Sequence, residues 1–167
     1  HKRDILERNL CGLLKIPASS IYDVNDLTGP GSLEDVVNKI QKNYPNGIPD
    51  DLTVIVYAHA RPGAFLIGHG PNGNPIGVDP SNAGKFASLL LPLLGNNSTL
   101  LLIGCNNMGY FNGNEADKGR DLFDPIKLTI PSTATLGGIF GGYTGLPKVP
   151  SASPGFLITP GGSLVLW

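Results

Sequence analysis

Two apolar runs that each lead into a potentially reactive side chain constrain the fold of this chain most strongly. Residues 52–58 are followed directly by His59, and residues 99–104 are followed directly by Cys105. A stretch typical of a hairpin and a stretch with helical periodicity lie between them, so the runs predict a β-crossover-β unit with parallel strands. If these strands are neighbours, His59 and Cys105 meet at the carboxyl edge of the sheet, where sites form in open α/β folds.

Length and composition narrow the class of protein. The 167 residues predict one domain, 1–167, and a content of 41% hydrophobic and 15% charged residues argues against a disordered chain. The formal net charge of -1 comes without a block of Lys or Arg, which argues against nucleic acid or an anionic membrane as the main partner. No apolar run reaches the length of a membrane span. The chain starts without Met or a signal peptide, so we expect flanking domains of a longer parent protein; its compartment stays open.

The cysteines and the glycine-rich segments exclude several kinds of site. A disulfide between Cys11 and Cys105 stays open, but two cysteines do not make a disulfide framework for a domain of this size. Together with three scattered histidines they form no metal-ligand pattern, so neither a metal nor a cofactor is predicted. The glycine pairs at 137–138 and 141–142 lack the Gly-Lys-Ser/Thr sequence of a phosphate loop, and nucleotide binding is therefore rejected.

Capping residues and apolar periodicity predict the helices. Residues 4–15 have an amphipathic helical pattern. Ser32 is expected to cap a second helix, with an acid three residues later as in a capping box. Asp79 is expected to cap a third helix that ends at Gly95.

Turn residues and apolar runs predict the strands. Two short strands, 64–68 and 75–78, form a hairpin, and 156–167 form a C-terminal β-hairpin with a Pro-Gly-Gly turn. A short strand is expected within 122–130, and the run 52–58 is apolar enough for a central strand covered on both faces. The predicted fold class is therefore α/β.

A thiol beside an imidazole is the minimal equipment of a cysteine nucleophile. In this interpretation the His59 imidazole takes the proton of the Cys105 thiol, the resulting thiolate attacks, and the imidazolium later gives a proton to a leaving amine. The backbone N–H groups of Ala60 and Cys105, just beyond the strand ends, are candidates for binding the oxyanion. The alternative for Cys105 is a buried structural thiol, the commoner role of a free cysteine. A histidine at the matching strand end favours the catalytic interpretation.

Other polar residues compete for roles around this pair. His69 is the alternative base, but the run before it is short and lies between turn sequences, so we favour His59. Arg61 is a candidate for binding a substrate carboxylate, against the alternative of a solvated loop arginine. Asn106 begins a polar, glycine-containing loop that is suited to line a site.

The order of these segments resembles the caspase-like cysteine peptidases, most closely the self-processing domains of bacterial toxins. The matching stretches are 54–63, an apolar strand with His59 and a Pro-Gly turn, and 100–106, an apolar strand ending in Gly-Cys. His precedes Cys, the reverse of the papain-like order. The family's usual His-Gly is His59-Ala60 here, while His69-Gly70 keeps the literal pair. The resemblance covers residues 20–143.

The resemblance implies a mostly parallel sheet sandwiched by helices and an endopeptidase acting through Cys105 and His59. It implies a peptide or protein substrate along the sheet edge near 135–141, with Thr135 and Gly137 in contact with it. A self-processing bacterial toxin or effector, secreted to act inside a host cell, is the corresponding setting. Some relatives need inositol hexakisphosphate, which a chain without a basic cluster is not expected to bind.

Two other functions would use the same residues. A cysteine-dependent deamidase or acyl-transfer toxin domain would apply Cys105 and His59 to a side-chain amide instead of a peptide bond. A catalytically inactive caspase-like binding module would keep the fold with a buried, unreactive Cys105. The masses of the products separate peptidase from deamidase, because only the peptidase splits its substrate.

Overall fold

The structure is a computed structural model that describes residues 15–70, 72–104, 107, 113–141, 158–159 and 162–166, without the side chains of 113–117, 140–141, 158–159 and 162–166. The strands among these residues are β1 (Thr53–Tyr57), β2 (His59–Arg61), β3 (Ala64–His69), β4 (Pro75–Val78), β5 (Thr99–Ile103), β6 (Thr135–Gly141), β7 (Ile158–Thr159) and β8 (Gly162–Leu166). The α-helices are α1 (Leu33–Lys42), α2 (Ala83–Leu90) and α3 (Gly113–Thr129), and 3₁₀ turns span Ala18–Ser20 and Leu91–Leu93. The helix predicted for 4–15 falls outside the described residues, apart from Lys15.

Two sheets organise the described chain. The larger has the strand order β1-β5-β6-β8-β7, in which β1, β5 and β6 are parallel and β8 and β7 pair antiparallel. The smaller is the antiparallel sheet β2-β3-β4. The α/β class, the parallel pairing of β1 with β5 and the β3–β4 hairpin were all predictable, and the structure confirms them. The short strand β2, which begins at His59, was not predicted.

The three described helices pack against one face of the larger sheet. Their buried side chains share a single core cluster with Leu100 and Leu102 of β5 and with Leu136 of β6. A second, smaller cluster on the other face contains Ile103 and Ile139, with Ile55, Tyr57 and Leu101 partly buried beside them. Helices therefore cover the first face of the sheet, as predicted. That helices also cover the second face stays a prediction.

Helix α1 begins where the capping residues indicate. The Ser32 hydroxyl accepts a hydrogen bond from the Asp35 backbone N–H at 3.2 Å, and the Asp35 carboxylate accepts one from the Gly31 N–H at 3.2 Å. Glu34 and Asp35 lie in the first turn and Lys39 and Lys42 in the last, which complements the helix dipole at both ends.

Helix α2 is shorter than predicted. It begins at Ala83 because residues 79–82 form a turn, in which the Asp79 carboxylate accepts a hydrogen bond from the Ser81 N–H at 2.8 Å. It ends at Leu90, since Pro92 cannot supply the N–H that a continued helix needs and the chain tightens into a 3₁₀ turn.

Two predicted strands differ in the structure. Residues 122–130 were expected to contain a strand, but helix α3 runs to Thr129, because its apolar side chains recur at helical spacing and are buried on one face: Leu122, Phe123 and Ile126. Strand β1 was expected at the sheet centre, but it lies at the edge of the described sheet with its residues half-buried after Thr53. An apolar run therefore did not distinguish a central from an edge strand.

Candidate functional site

The carboxyl ends of β1 and β5 lie side by side. Their parallel register pairs Thr53 with Thr99 and Tyr57 with Ile103, so paired residues are 46 positions apart in the chain. The ladder continues beyond these strands, because the Ala58 N–H donates a hydrogen bond to the Ile103 carbonyl at 3.0 Å. His59 and Cys105 are separated in the sequence by the same 46 positions.

Gly104 is in close contact with the chain on both sides of His59. A Cβ atom at Gly104 would lie 2.6 Å from the carbonyl oxygen of Ala58 and 2.6 Å from the Cβ of Ala60. It would also lie 3.5 Å from the Ala60 nitrogen. Only glycine fits this space, and the last described residue before Cys105 thus touches both neighbours of His59.

His59 lies where the chain leaves the larger sheet for the smaller one. It is the first residue of β2, it is exposed, and it pairs with Leu66 of β3. Ala60 follows it and is half-buried against the main core. The imidazole therefore lies at the junction of the two sheets and in reach of solvent.

His69 lies elsewhere on the smaller sheet. It is the last residue of β3, where it is exposed and pairs with Pro75. Leu66, the partner of His59, is three residues earlier on β3, which corresponds to about 10 Å along the strand. The preceding Gly68 packs against the backbone of Asn25, so this end of β3 is anchored to the loop before α1.

Cys105 and Asn106 lie outside the described residues, and Asn107 is the next residue that the structure describes. Asn107 is buried, and its side-chain amide makes two hydrogen bonds: Nδ2 donates to the Leu102 carbonyl at 2.9 Å, and Oδ1 accepts from the Ile139 N–H at 2.8 Å. Its backbone carbonyl accepts from the Gly63 N–H at 3.1 Å. The sequence did not single out Asn107, because the polar loop after β5 contains several asparagines that nothing in the sequence distinguishes.

The Asn107 amide takes the place of a rung in the β5–β6 ladder. Thr135 N–H donates to the Ser98 carbonyl at 2.9 Å, and alternate N–H groups of β6 point towards β5 in the same way. By the register that pairs Leu102 with Gly138, the Ile139 N–H would donate directly to the Leu102 carbonyl. Instead the amide stands between them, so the two strands separate at their carboxyl ends while β1 and β5 stay paired.

Arg61 lies at the end of β2 in a cleft of about 370 Å³ that contains charges of both signs. The cleft is lined by Arg61, Pro62, Gly63, Ala64, Asp79, Pro80, Lys118 and Asp121. The pKa of Asp79 is lowered, first by a hydrogen bond from the Ser81 hydroxyl, then by backbone N–H groups and by the charge of Arg61. Gly63 adopts φ +73° and packs against the Lys118 carbonyl, so the turn after β2 is held to α3.

Thr135 and Gly137 lie away from the carboxyl edge. Thr135 pairs with Thr99 at the beginning of β5, about 13 Å along the strand from the level of Ile103. Gly137 is buried and pairs with Leu101 in the middle of the sheet. The structure therefore does not bring these two predicted substrate contacts to His59, because β6 runs parallel to β5 and begins at the opposite end. Asn107 and Ile139 occupy that edge.

Comparison of the chain with family models, with curated proteins and with solved structures finds no match in any of the three. Within the described residues, no three His, Cys, Asp or Glu side chains form a group that could hold a metal ion. None of the helices in the described part is long and apolar enough to cross a membrane.

Proposed function

We propose that this chain is a cysteine endopeptidase of the caspase-like type, with Cys105 as nucleophile and His59 as base. One observation carries the proposal: Gly104 is in contact with Ala58 and Ala60, the two neighbours of His59. Cys105 follows Gly104, and consecutive Cα atoms are only about 3.8 Å apart. The residue that carries the thiol is therefore bonded directly to the residue that touches both neighbours of His59.

The order of the described elements supports the resemblance. An apolar parallel strand leads into His59, a Pro62–Gly63 turn and an antiparallel hairpin follow, and then a helix and the neighbouring strand lead into Gly104. The antiparallel pairing of β7 with β8 supports the proposed C-terminal β-hairpin. We therefore keep the self-processing domains of bacterial toxins as the proposed relatives.

The proposed reaction uses His59 and Cys105, which follow the paired strands β1 and β5 in the sequence. The Cys105 thiolate attacks the scissile carbonyl carbon, and the electron pair of the C=O bond moves onto its oxygen. The Ala60 and Cys105 N–H groups are the proposed donors to that oxyanion. As the C–N bond breaks, protonated His59 gives its proton to the leaving amine, and a thioester remains. His59 then takes a proton from water, whose oxygen attacks the thioester and releases the acid and the thiol.

The arrangement favours His59 over His69 as the base. His59 lies between the two residues that touch Gly104, whereas His69 lies at the far end of β3, beside Pro75 and the Asn25 loop. A proton-transfer partner must approach the sulfur within hydrogen-bond distance, or through one water molecule. The two histidines, both exposed and on neighbouring strands, therefore make a matched pair of variants.

The test is the pH dependence of iodoacetamide labelling at Cys105 in the wild type, His59→Ala and His69→Ala. Peptide mapping separates Cys105 from Cys11, which serves as the internal reference. We expect wild type and His69→Ala to label fast well below pH 8.5, about the ordinary pKa of a thiol. His59→Ala should label only as the pH approaches that value. If only His69→Ala loses the fast labelling, His69 is the base instead of His59. If neither histidine variant changes the labelling, the proposed Cys105–His59 pair is wrong.

A second experiment identifies the reaction. The 167-residue chain is incubated with a mixture of synthetic peptides of varied sequence, and the products are read by intact mass, with Cys105→Ala as control. The proposal expects pairs of fragments that together contain one added water. Conversion of Gln or Asn to the acid without a break in the chain would instead indicate a deamidase. Unchanged peptides together with unreactive Cys105 would indicate a binding module.

A further inference from the structure

Asn107 is one of three buried polar residues in the described chain, with Ser32 and Ser98. Ser32 caps α1, and Ser98 donates to the Gly95 carbonyl before β5. Asn107 instead joins three separate elements, since its hydrogen bonds reach Leu102 of β5, Ile139 of β6 and Gly63 of the β2–β3 turn. A single residue thus connects the two neighbouring strands with the turn that follows His59.

The position of Asn107 makes this connection relevant to the proposed site. Gly104 is held against Ala58 and Ala60, and Asn107 is held by its three hydrogen bonds. Only Cys105 and Asn106 lie between these two anchored residues. On the other side, Gly63 follows His59 by four residues, and its N–H bond to Asn107 links the turn after the imidazole to the loop after the thiol.

The chemistry of the position calls for an amide. One planar group must donate to the Leu102 carbonyl and accept from the Ile139 N–H at the same time. Asparagine supplies both functions, whereas a carboxylate supplies acceptors only. An aliphatic side chain of similar size would leave a buried carbonyl and a buried N–H without partners, which is costly.

We propose that Asn107 is the positioning residue for the Cys105–His59 pair, an inference that rests on the proposed function. By replacing one rung of the β5–β6 ladder, its amide separates the carboxyl ends of the two strands and anchors the chain directly after Cys105 and Asn106. Reactive groups must be held to within about 0.5 Å of their productive geometry. We expect loss of the amide to release this anchor and to weaken the stabilisation of the Cys105 thiolate by His59 in the proposed pair.

The experiment compares Asn107→Asp and Asn107→Ala with the control Ser98→Ala in the full 167-residue chain. Ser98 is equally buried, but it lies at the opposite end of β5. The probe is iodoacetamide, and the readout is the pH profile of Cys105 labelling, with far-UV circular dichroism to verify folding. We expect both Asn107 variants to lose labelling at least tenfold near pH 6.5 and to approach wild type above the ordinary thiol pKa of about 8.5. Ser98→Ala should keep the wild-type profile, even where its melting temperature falls.

The possible outcomes separate this inference from the proposed function. A folded Asn107→Asp or Asn107→Ala with the wild-type profile, beside a shifted His59→Ala, overturns the positioning role alone. If wild type and His59→Ala label alike, the proposed pair fails and the positioning role fails with it. If neither Asn107 variant folds, or if Ser98→Ala shifts the profile equally, Asn107 is a stabilising residue and the inference is withdrawn. The positioning role is supported if the labelling profile shifts in the Asn107 variants and stays unchanged in Ser98→Ala.

Discussion

Replacing Gly104 by alanine tests the contact that carries the functional argument. The added Cβ would lie 2.6 Å from the Ala58 carbonyl oxygen and 2.6 Å from the Ala60 Cβ, and real Cβ contacts stay above 3.0 Å. The Ala58 backbone cannot yield cheaply, because its N–H is bonded to the Ile103 carbonyl at 3.0 Å. We therefore expect the ends of β1 and β5 to separate.

The cost follows from overpacking. Added methyl groups in a tight interior cost about 1–3 kcal/mol, and two simultaneous contacts with backbone and Cβ atoms put Gly104→Ala near the upper end. With a urea m-value of about 2 kcal/mol per molar, a loss of about 3 kcal/mol lowers the unfolding midpoint by about 1.5 M. The variant should still fold, since domains of this kind are stable by about 5–15 kcal/mol.

Urea unfolding followed by circular dichroism measures this loss, and two further variants identify its cause. Ala60→Gly removes one of the two contacts, so the double variant should recover about 1 kcal/mol relative to the sum of the single changes. Gly84→Ala is the control, because its Cβ meets only the Thr129 hydroxyl at 3.9 Å. In helix α2 it should be neutral or stabilising by up to about 1 kcal/mol. Equal stability of Gly104→Ala and Gly84→Ala, or no recovery with Ala60→Gly, would show that Gly104 does not make this contact.

Three other predictions concern Ser32, Phe86 and Asp79. Ser32→Ala removes the cap of α1 and should lower the free energy of unfolding by about 1 kcal/mol in urea. Ser88→Ala, on the exposed side of α2, should change it by less than about 0.5 kcal/mol; equal effects would contradict the capping role. Phe86→Ala removes a fully buried ring and should cost about 3–5 kcal/mol, so a loss below about 1.5 kcal/mol would contradict the packing described. The pKa of Asp79 lies below its ordinary value of 3.8, chiefly through the hydrogen bond from the Ser81 hydroxyl, so its stabilising contribution is complete above that pH and is lost as the pH falls through the lower folded value. Urea midpoints between pH 5 and pH 2 should therefore decline less steeply for Asp79→Asn than for the wild type, and parallel declines would exclude the effect.

Local patterns were sufficient for the elements whose signals lie close together in the chain. Ser32 and Asp35 are three residues apart, and their contact forms within one helical turn. The β3–β4 hairpin joins strands separated by a short turn, so its pairing is also a local event. The run ending at Ala58 and the run ending at Gly104 were predictable as parallel strands, because a helical crossover between two apolar runs permits few other arrangements.

Helix α3 shows where local patterns were insufficient. Leu122, Phe123 and Ile126 recur at helical spacing, but the alternation over 126–130 also fits a strand, so the pattern alone is ambiguous. The choice depends on burial against α2 and the sheet, where Leu122, Phe123 and Ile126 become inaccessible to solvent. Strand β1 is a similar case, since the same apolar letters suit the centre or the edge of a sheet, and the strand order alone distinguishes them.

Periodicity and neighbouring residues were enough to predict the α/β class and the two strands that lead into His59 and Cys105. Only the tertiary structure revealed that Gly104 touches Ala58 and Ala60, and that Asn107 replaces a rung between β5 and β6. Both features join residues more than thirty positions apart in the chain. They arise from the register of the parallel strands, which is set when the hydrophobic faces of those strands pack together in the core.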